Sequence, residues 1–347
     1  MKILVTGGAG FIGSSYIRQV LAMEDGREIV NLDALTYAGN LENLKDVQDD
    51  PRYTFVKGDI GRRGDVERVF AGHRFDAVLN FAAESHVDRS LHVGVDAFIA
   101  TNIQGTQNLL DASREHQVKR YLQVSTDEVY GSLGDEGYFT ETTPLEPNNP
   151  YSATKAGADC LVRAAGHSHG LEVVTTRCSN NFGPFQFPEK LIPLMIANAQ
   201  EDKPLPVYGD GLHVRDWIFV EDHCAGIDLV LREGKADEVY NMGGNYDVPN
   251  IEIVRNILQI LGKPESLITY VEDRPGHDRR YAIDSSKIQR ELSWERAYAF
   301  PPAIEKTVEW YLSNDGWLQN LRSGDYQDYY RMLYGERSDA AEGPDVK

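Results

Sequence analysis

The sequence predicts an α/β protein: a doubly wound parallel sheet flanked by helices, with a smaller, loop-rich α/β lobe. Three observations lead there. Short apolar runs alternate with helix-like stretches from Lys2 to Arg177 without long irregular gaps, the pattern of strands joined by crossover helices. A glycine-rich turn from Gly7 to Gly13 separates the first run from the first helical stretch. From Cys178 onward the chain turns to loops rich in Pro, Gly, Asn and charge, such as SNNFGPFQFPEKLIP, PLPVYGDG and VEDRPGHDRR.

The first element, KILVT, runs into Gly7, Gly10 and Gly13 and then an amphipathic helix. Glycines at this GxxGxxG spacing let the backbone turn tightly and approach a pyrophosphate at a helix N-terminus, so the sheet is read as Rossmann-type. EIVNLD follows as a second strand and ends in Asp33, 20 residues past Gly13. A carboxylate there binds the adenosine ribose hydroxyls and repels a 2′-phosphate, which favours NAD over NADP. YTFVKGDI is the third strand, ending at Asp59-Ile60, and GDVERVFAG the next helix. FDAVLNFAAES carries the fourth strand into Ala82 and Ala83, small enough for a nucleotide to pass closely. IQGTQNLLDASREH is a helix, KRYLQVS the fifth strand, Tyr151 to His169 a long helix closed by Gly170, and LEVVTTR the sixth strand. Further on, LIPLMIANAQ and NIEIVRNILQILG read as helices, with returns to the sheet around VRDWIFVEDHCAGIDLVL and EVYNMGG. The expected division is a cofactor domain over 1–180 with returns near 216–245, a substrate lobe over 181–335, and a disordered tail over 336–347.

Composition narrows the functional classes. The 347 residues are 41% hydrophobic and 26% charged, with a net charge of -19. Such an excess of negative charge argues against nucleic acid or an anionic membrane as a partner. No apolar run approaches the ~18 residues that span a bilayer, and Met1-Lys2 leads straight into a strand without a basic leader. Cys160, Cys178 and Cys224 have no metal-ligand spacing and read as small buried residues in a reducing cytoplasm. A cytoplasmic protein without a metal is expected.

The stretch that carries chemistry is Ser125-Thr126-Asp127-Glu128, followed by Tyr151-Ser-Ala-Thr-Lys155. The acidic pair sits at a strand's carboxyl end, where open α/β sheets bind ligands. Tyr151 and Lys155 share a helix face, and a lysine cation beside the phenol lowers its pKa from about 10. A redox base with its cation plus two carboxyl groups is more proton-transfer equipment than a hydride transfer needs.

TGGAGFIG, Asp33, FAAESHVDRS, STDEVYG, PYSATKAG, RCSNNFGPFQFPEKLIP and VRDW together resemble the extended short-chain dehydrogenase/reductases, and within them the dTDP-glucose 4,6-dehydratases. The resemblance runs from Met1 to about Trp310. Its specific part is Thr126-Asp127-Glu128, since related 4-epimerases lack the acidic pair. It implies an internal redox cycle on dTDP-glucose. Tyr151, helped by Lys155, takes the 4-hydroxyl proton during oxidation at C-4. Glu128 removes the C-5 proton, Asp127 protonates the departing 6-hydroxyl, and re-reduction at C-6 leaves a 4-keto-6-deoxy sugar. Thr126 hydrogen-bonds the 4-hydroxyl. The resemblance extends the NAD set to Gly7, Gly10, Phe11, Ile12, Gly13, Asp33, Ala34, Leu35, Thr36, Gly39, Asp59, Ile60, Ala82, Ala83, Thr101, Tyr151 and Lys155. It places Ser85, Thr126, Asn180, Glu189, Lys190, Leu191 and Arg215 around the sugar nucleotide. Asn250, Arg274 and His277 fall toward the diphosphate and base, with Pro206 and Tyr208 against the base. It also implies a homodimer through the helices around 103–116 and 151–166. Asn102 is read as structural or as a relay, and His86 as structural rather than catalytic. Phe182 and Phe185 stand where the family usually has Tyr, with an expected effect on a hydrogen bond near the sugar. The alternatives are an NAD-dependent sugar-nucleotide 4-epimerase, a dehydratase of another nucleotide-hexose such as UDP-glucose, and a non-enzymatic NAD sensor of the same fold.

Overall fold

The computed structural model describes residues 1–321; the expected tail over 336–347 and the end of the substrate lobe lie outside the described residues. The strands are β1 (Lys2–Thr6), β2 (Glu28–Asp33), β3 (Tyr53–Lys57), β4 (Ala77–Asn80), β5 (Arg120–Thr126), β6 (Val173–Cys178), β7 (Asn180–Phe182), β8 (Leu205–Tyr208), β9 (Val214–Phe219), β10 (Val239–Met242), β11 (Asp247–Pro249) and β12 (Ile268–Val271). Seven of them form one parallel sheet in the order β10-β6-β5-β4-β1-β2-β3. Because β1 lies between β2 and β4, successive crossovers leave it in opposite directions, which opens a crevice at the strands' carboxyl ends.

Helices cover both faces, as the fully buried β4 and β6 require. The helices before β7 are α1 (Phe11–Ala22), α2 (Arg63–Gly72), α3 (Val87–His92), a single turn α4 (Asp96–Phe98), α5 (Thr106–Glu115) and α6 (Pro150–His169). Those after it are α7 (Leu191–Gln200), α8 (Val220–Glu233), α9 (Asn250–Leu261), α10 (Ser286–Leu292), α11 (Phe300–Ser313) and α12 (Asp315–Leu321). One sheet face packs α1 and α8 through Ile3, Tyr16, Ile17, Leu122, Ile227 and Val230. The other packs α2, α5 and α6 through Leu4, Val66, Val69, Leu109 and Val162. A separate core joins α7, α9 and α11 around Met195, Trp217, Phe219, Ile257 and Val308.

Two local departures from the sequence reading matter for the site. VRDWIF was expected to rejoin the main sheet; instead β9 sits between β7 and β11 in a second, three-stranded sheet. Its Trp217 and Phe219 are committed to the second core, which explains the change of partner. EVYNMGG does return, as β10 beside β6. The helix expected from Ile103 starts earlier, as a π-helical segment Ile99–Gly105 running into α5. Such segments concentrate at functional sites. Here it buries Asn102, whose side chain accepts from Glu84 N–H at 3.0 Å and donates to Glu84 O at 3.0 Å and Thr154 Oγ1 at 2.9 Å. Asn102 thus clamps the chain after β4 against α6.

Candidate active site

The glycine turn shapes the first cavity, of about 320 Å³. Gly7 has φ +70°, and a Cβ there would lie 2.6 Å from Ala82 N, so only glycine lets β1 and β4 end this close together. A Cβ at Gly13 would collide with the Gly7 carbonyl. Asp33 is held at the far end: Oδ2 accepts from Ala9 N–H at 2.9 Å and Oδ1 from Leu35 N–H at 2.8 Å. Burial raises its pKa against those two donors. Every residue expected to hold the cofactor lines this cavity except Leu35, which has φ +54° and turns its amide to Asp33. A narrow backbone cradle beneath a helix N-terminus, closed by a fixed carboxylate, fits a dinucleotide.

At the cavity's other end β5 delivers the acidic pair. Thr126 is the last residue of β5 and caps the short 3₁₀ turn Asp127–Tyr130, its Oγ1 accepting from Glu128 N–H at 3.3 Å. Asp127 is buried, and its Oδ2 has no hydrogen-bond partner among the described residues. Burial first, then the neighbouring Glu128 and Asp216, push its pKa well above the usual carboxylate value, which favours its protonated form. Glu128 is half-buried; burial raises its pKa too, opposed by Lys190, Arg215 and a contact from Asn149.

Tyr151 and Lys155 occupy the first two turns of α6, which Asn149 caps and Pro150 opens. The expected cation beside the phenol is not how Lys155 is placed. Its Nζ donates to Val124 O at 2.7 Å, so the ammonium is anchored to β5. Burial and Glu128 push the Tyr151 phenol well above its ordinary value, opposite to the sequence expectation. Thr126 opposes that shift.

A second cavity of about 150 Å³ adjoins the first, and the two share Glu128, Asn180, Asn181, Gln186, Glu189 and Lys190. Leu191, Pro206, Tyr208, Arg215, Asn250, Arg274 and His277 line it, while Ser85 and Thr126 line the first. Lys190 donates to Ser85 O at 3.0 Å. Arg215 lies 4.3 Å over the Tyr281 ring and donates to Asp278 O at 2.9 Å. Arg274 stacks 4.3 Å over Tyr208 and pairs with buried Asp88, donating to its Oδ2 at 2.8 Å. Buried positive charge therefore collects at one end of an acidic protein. His86 lines this cavity and meets Glu189 O at 3.3 Å, with burial lowering its pKa so that it stays neutral.

Sequence reasoning missed Asp88, Asn149, Gln186 and Tyr281, which touch the cavities or their residues. Asp88 carried no local signal, since its cation Arg274 lies 186 positions away; Tyr281 carried none either. The two phenylalanines are corrected as well. Phe182 is buried among Trp217, Phe219 and Phe300, and Phe185 packs on Trp310 under the Arg18 guanidinium. Neither lines these two cavities; both pack in the second core. Cys178 and Cys224 are buried as expected, but Cys160 is exposed on α6. His213, Asp273 and His277 bring ligand-type atoms within 4.8 Å of one another. Burial lowers the proton affinity of both imidazoles and Asp273 opposes it, while Arg215 and Arg279 at His213, and Arg274 and Arg215 at His277, add to it.

The family model described as GDP-mannose 4,6 dehydratase matches residues 4–307. A dTDP-glucose 4,6-dehydratase of Xanthomonas campestris pv. campestris is 56% identical over 342 residues, covering 93% of this chain and 97% of that protein. A crystal structure of the Streptomyces venezuelae dTDP-glucose 4,6-dehydratase with NAD and TYD bound is 50% identical with a TM-score of 0.90, covering 92% of this chain and 100% of that one. A Thermus thermophilus UDP-glucose 4-epimerase solved with NAD shares the fold at TM-score 0.84 but only 29% identity, over 90% of this chain and 100% of that one. The chain therefore belongs to the family of that model and, within it, to the dTDP-glucose 4,6-dehydratases.

Proposed function

We propose that the protein dehydrates dTDP-glucose to dTDP-4-keto-6-deoxyglucose with NAD held in the first cavity. The observation that carries the reading is the Asp127–Glu128 pair in the lining of the cofactor cavity: a fully buried carboxyl whose protonated form is favoured beside a half-buried one faced by Lys190 and Arg215. Elimination needs an acid and a base, and adjacent carboxyl groups in unequal surroundings divide those roles. NAD, when bound there, supplies a reversible acceptor for the electrons leaving C-4 and returning at C-6. Gly7 to Gly13, Asp33, Asp59, Ile60, Ala82 and Ala83 hold it.

As phenolate, the form that burial and Glu128 disfavour and a cationic neighbour favours, Tyr151 takes the proton of the sugar's 4-hydroxyl, and Thr126 donates to the same oxygen. Lys155, anchored on Val124 O, supplies the positive charge of the same helix face. Once C-4 is a ketone the C-5 hydrogen is acidic; Glu128 removes it, and Asp127 gives its proton to the leaving 6-hydroxyl, which departs as water. Glu128 then returns its proton to C-5. Lys190, Arg215 and Arg274 hold the diphosphate, where a guanidinium fork matches phosphate oxygens. Pro206, Tyr208, Asn250 and His277 surround the base. A 4-epimerase would use Tyr151 and Lys155 alone and leave a buried, protonated Asp127 without work.

The same protein is read as a homodimer: Ala153, Cys160 and Ala164 form an exposed small-residue row on α6, and nearby Ile99 is 47% exposed. A monomer by sedimentation at micromolar concentration would contradict that part. The activity is tested by incubation with dTDP-glucose and UDP-glucose, reading product mass and the cofactor balance. Loss of one water from dTDP-glucose with no net cofactor consumption is expected; an epimer of unchanged mass refutes the reading.

A further inference from the structure

The side chain of Asn149 makes two contacts that belong to different parts of the site. Its Oδ1 accepts from Ser152 N–H at 2.9 Å, and Ser152 Oγ accepts from Asn149 N–H at 3.3 Å, a reciprocal cap on α6. Only the amide oxygen can accept, so the cap fixes which way the amide points. Its nitrogen is thereby turned the other way, where Nδ2 donates to Glu128 Oε2 at 3.4 Å. Asn148 beside it donates to Asp278 Oδ1 at 2.6 Å, and the other Asp278 oxygen accepts from Tyr281 OH. The Asn148-Asn149 pair so ties the first turn of α6 to Glu128 and to the segment carrying Arg274 and His277.

We infer that Asn149 is a positioning residue for Glu128, the cap of the helix bearing Tyr151 and Lys155 also orienting the carboxylate that exchanges a proton with C-5. The inference rests on the reading of Glu128 as that base. Capping alone does not call for asparagine: Ser and Asp serve as well, but neither presents an N–H. Glu128 is faced by Lys190 from the α7 side, Arg215 from β9 and Arg274, which favour its ionised form. Asp127, Tyr151 and Tyr281 are the acidic groups around it. Asn149 adds an uncharged donor from the α6 side.

Two variants keep the cap and change only the second contact. Asn149→Ser removes the donor, and Asn149→Asp replaces it with a carboxylate. The measurement is kcat against pH for the holoenzyme with dTDP-glucose, together with solvent deuterium entry at C-5. A charge-assisted donor removed from Glu128 moves the acid limb to higher pH, by about one unit for Asn149→Ser and further for Asn149→Asp. Below that limb the rate falls about tenfold per unit, while the Tm stays at the wild-type value. Unshifted limbs in both variants overturn the inference, as does an equal loss at every pH accompanied by a lower Tm. Should Asn149→Ser not fold, Asn149→Asp gives the same reading with a larger shift. Glu128→Gln in the same assay separates the two claims: deuterium still entering C-5 there refutes the base itself, whereas its loss with unshifted Asn149 variants refutes only the positioning role.

Discussion

The cofactor cavity is lined mainly by backbone and small side chains of the first 180 residues, while the substrate cavity takes charged and aromatic side chains from segments scattered between His86 and Tyr281. In the first, fit is decided by space: Gly7 and Gly13 are positions where a single methyl would meet backbone. In the second, fit is decided by charge: Lys190, Arg215 and Arg274 are buried or half-buried cations already held by carbonyls, Asp88 or rings. The contrast means that substitutions in one cavity should remove the cofactor, and in the other should weaken substrate binding while the cofactor stays.

The largest effect is expected at Gly7. Gly7→Ala combines a positive φ with a methyl 2.6 Å from Ala82 N, so purified protein should carry no NAD and activity should fall by more than ~100-fold, strain and lost contacts acting together. Stoichiometric NAD in that variant, read by extraction and chromatography, would dissolve the contrast. Next comes Arg274→Gln. Losing charge-assisted contacts to a diphosphate should raise KM about 10- to 100-fold with bound NAD unchanged and kcat within a few-fold. Equal losses in kcat and kcat/KM would place Arg274 in the chemistry instead. A smaller change is expected at Asp33. Asp33→Ala should weaken NAD about tenfold, and wild type should prefer NAD to NADP; tighter NADP binding by wild type would remove the ribose reading. The smallest effect is on stability. Asp127 has a folded pKa above its unfolded value, so its neutral form stabilises the protein at low pH and that contribution is lost as pH rises through the raised pKa. Asp127→Asn should therefore raise Tm by about 2 °C or more at pH 8 and by less at pH 5. An equal change at both pH values would mean that Asp127 is ionised at neutral pH.

The same contrast explains what the sequence made legible. The glycine turn, Asp33 and the alternation of strands and helices are local signals, since each depends on residues near in sequence. They led to the main sheet, confirmed as seven parallel strands, though β9 went to a second sheet because its aromatic residues belong to another core. The substrate cavity depends on contacts such as Arg274 with Asp88 and Asn148 with Asp278, separated by 186 and 130 positions. No spacing rule reaches that far, so Arg274 entered through family resemblance, and Asp88, Asn148 and Asp278 did not enter at all. Lys155 shows a third limit: the shared helix face with Tyr151 was readable, but the direction of a flexible side chain toward Val124 O was not.

The division of labour within the acidic pair is tested most directly by mixing the Asp127→Asn holoenzyme with dTDP-glucose and following cofactor absorbance alongside product mass. Asparagine keeps the size of the group and removes the transferable proton, which typically costs ~100- to 10,000-fold. Tyr151→Phe serves as the control, since it should block oxidation and leave the absorbance flat. With Asp127→Asn the account predicts an absorbance that rises and does not decay, with almost no loss of water from the sugar. Dehydration at the wild-type rate would contradict it and move the acid to another residue.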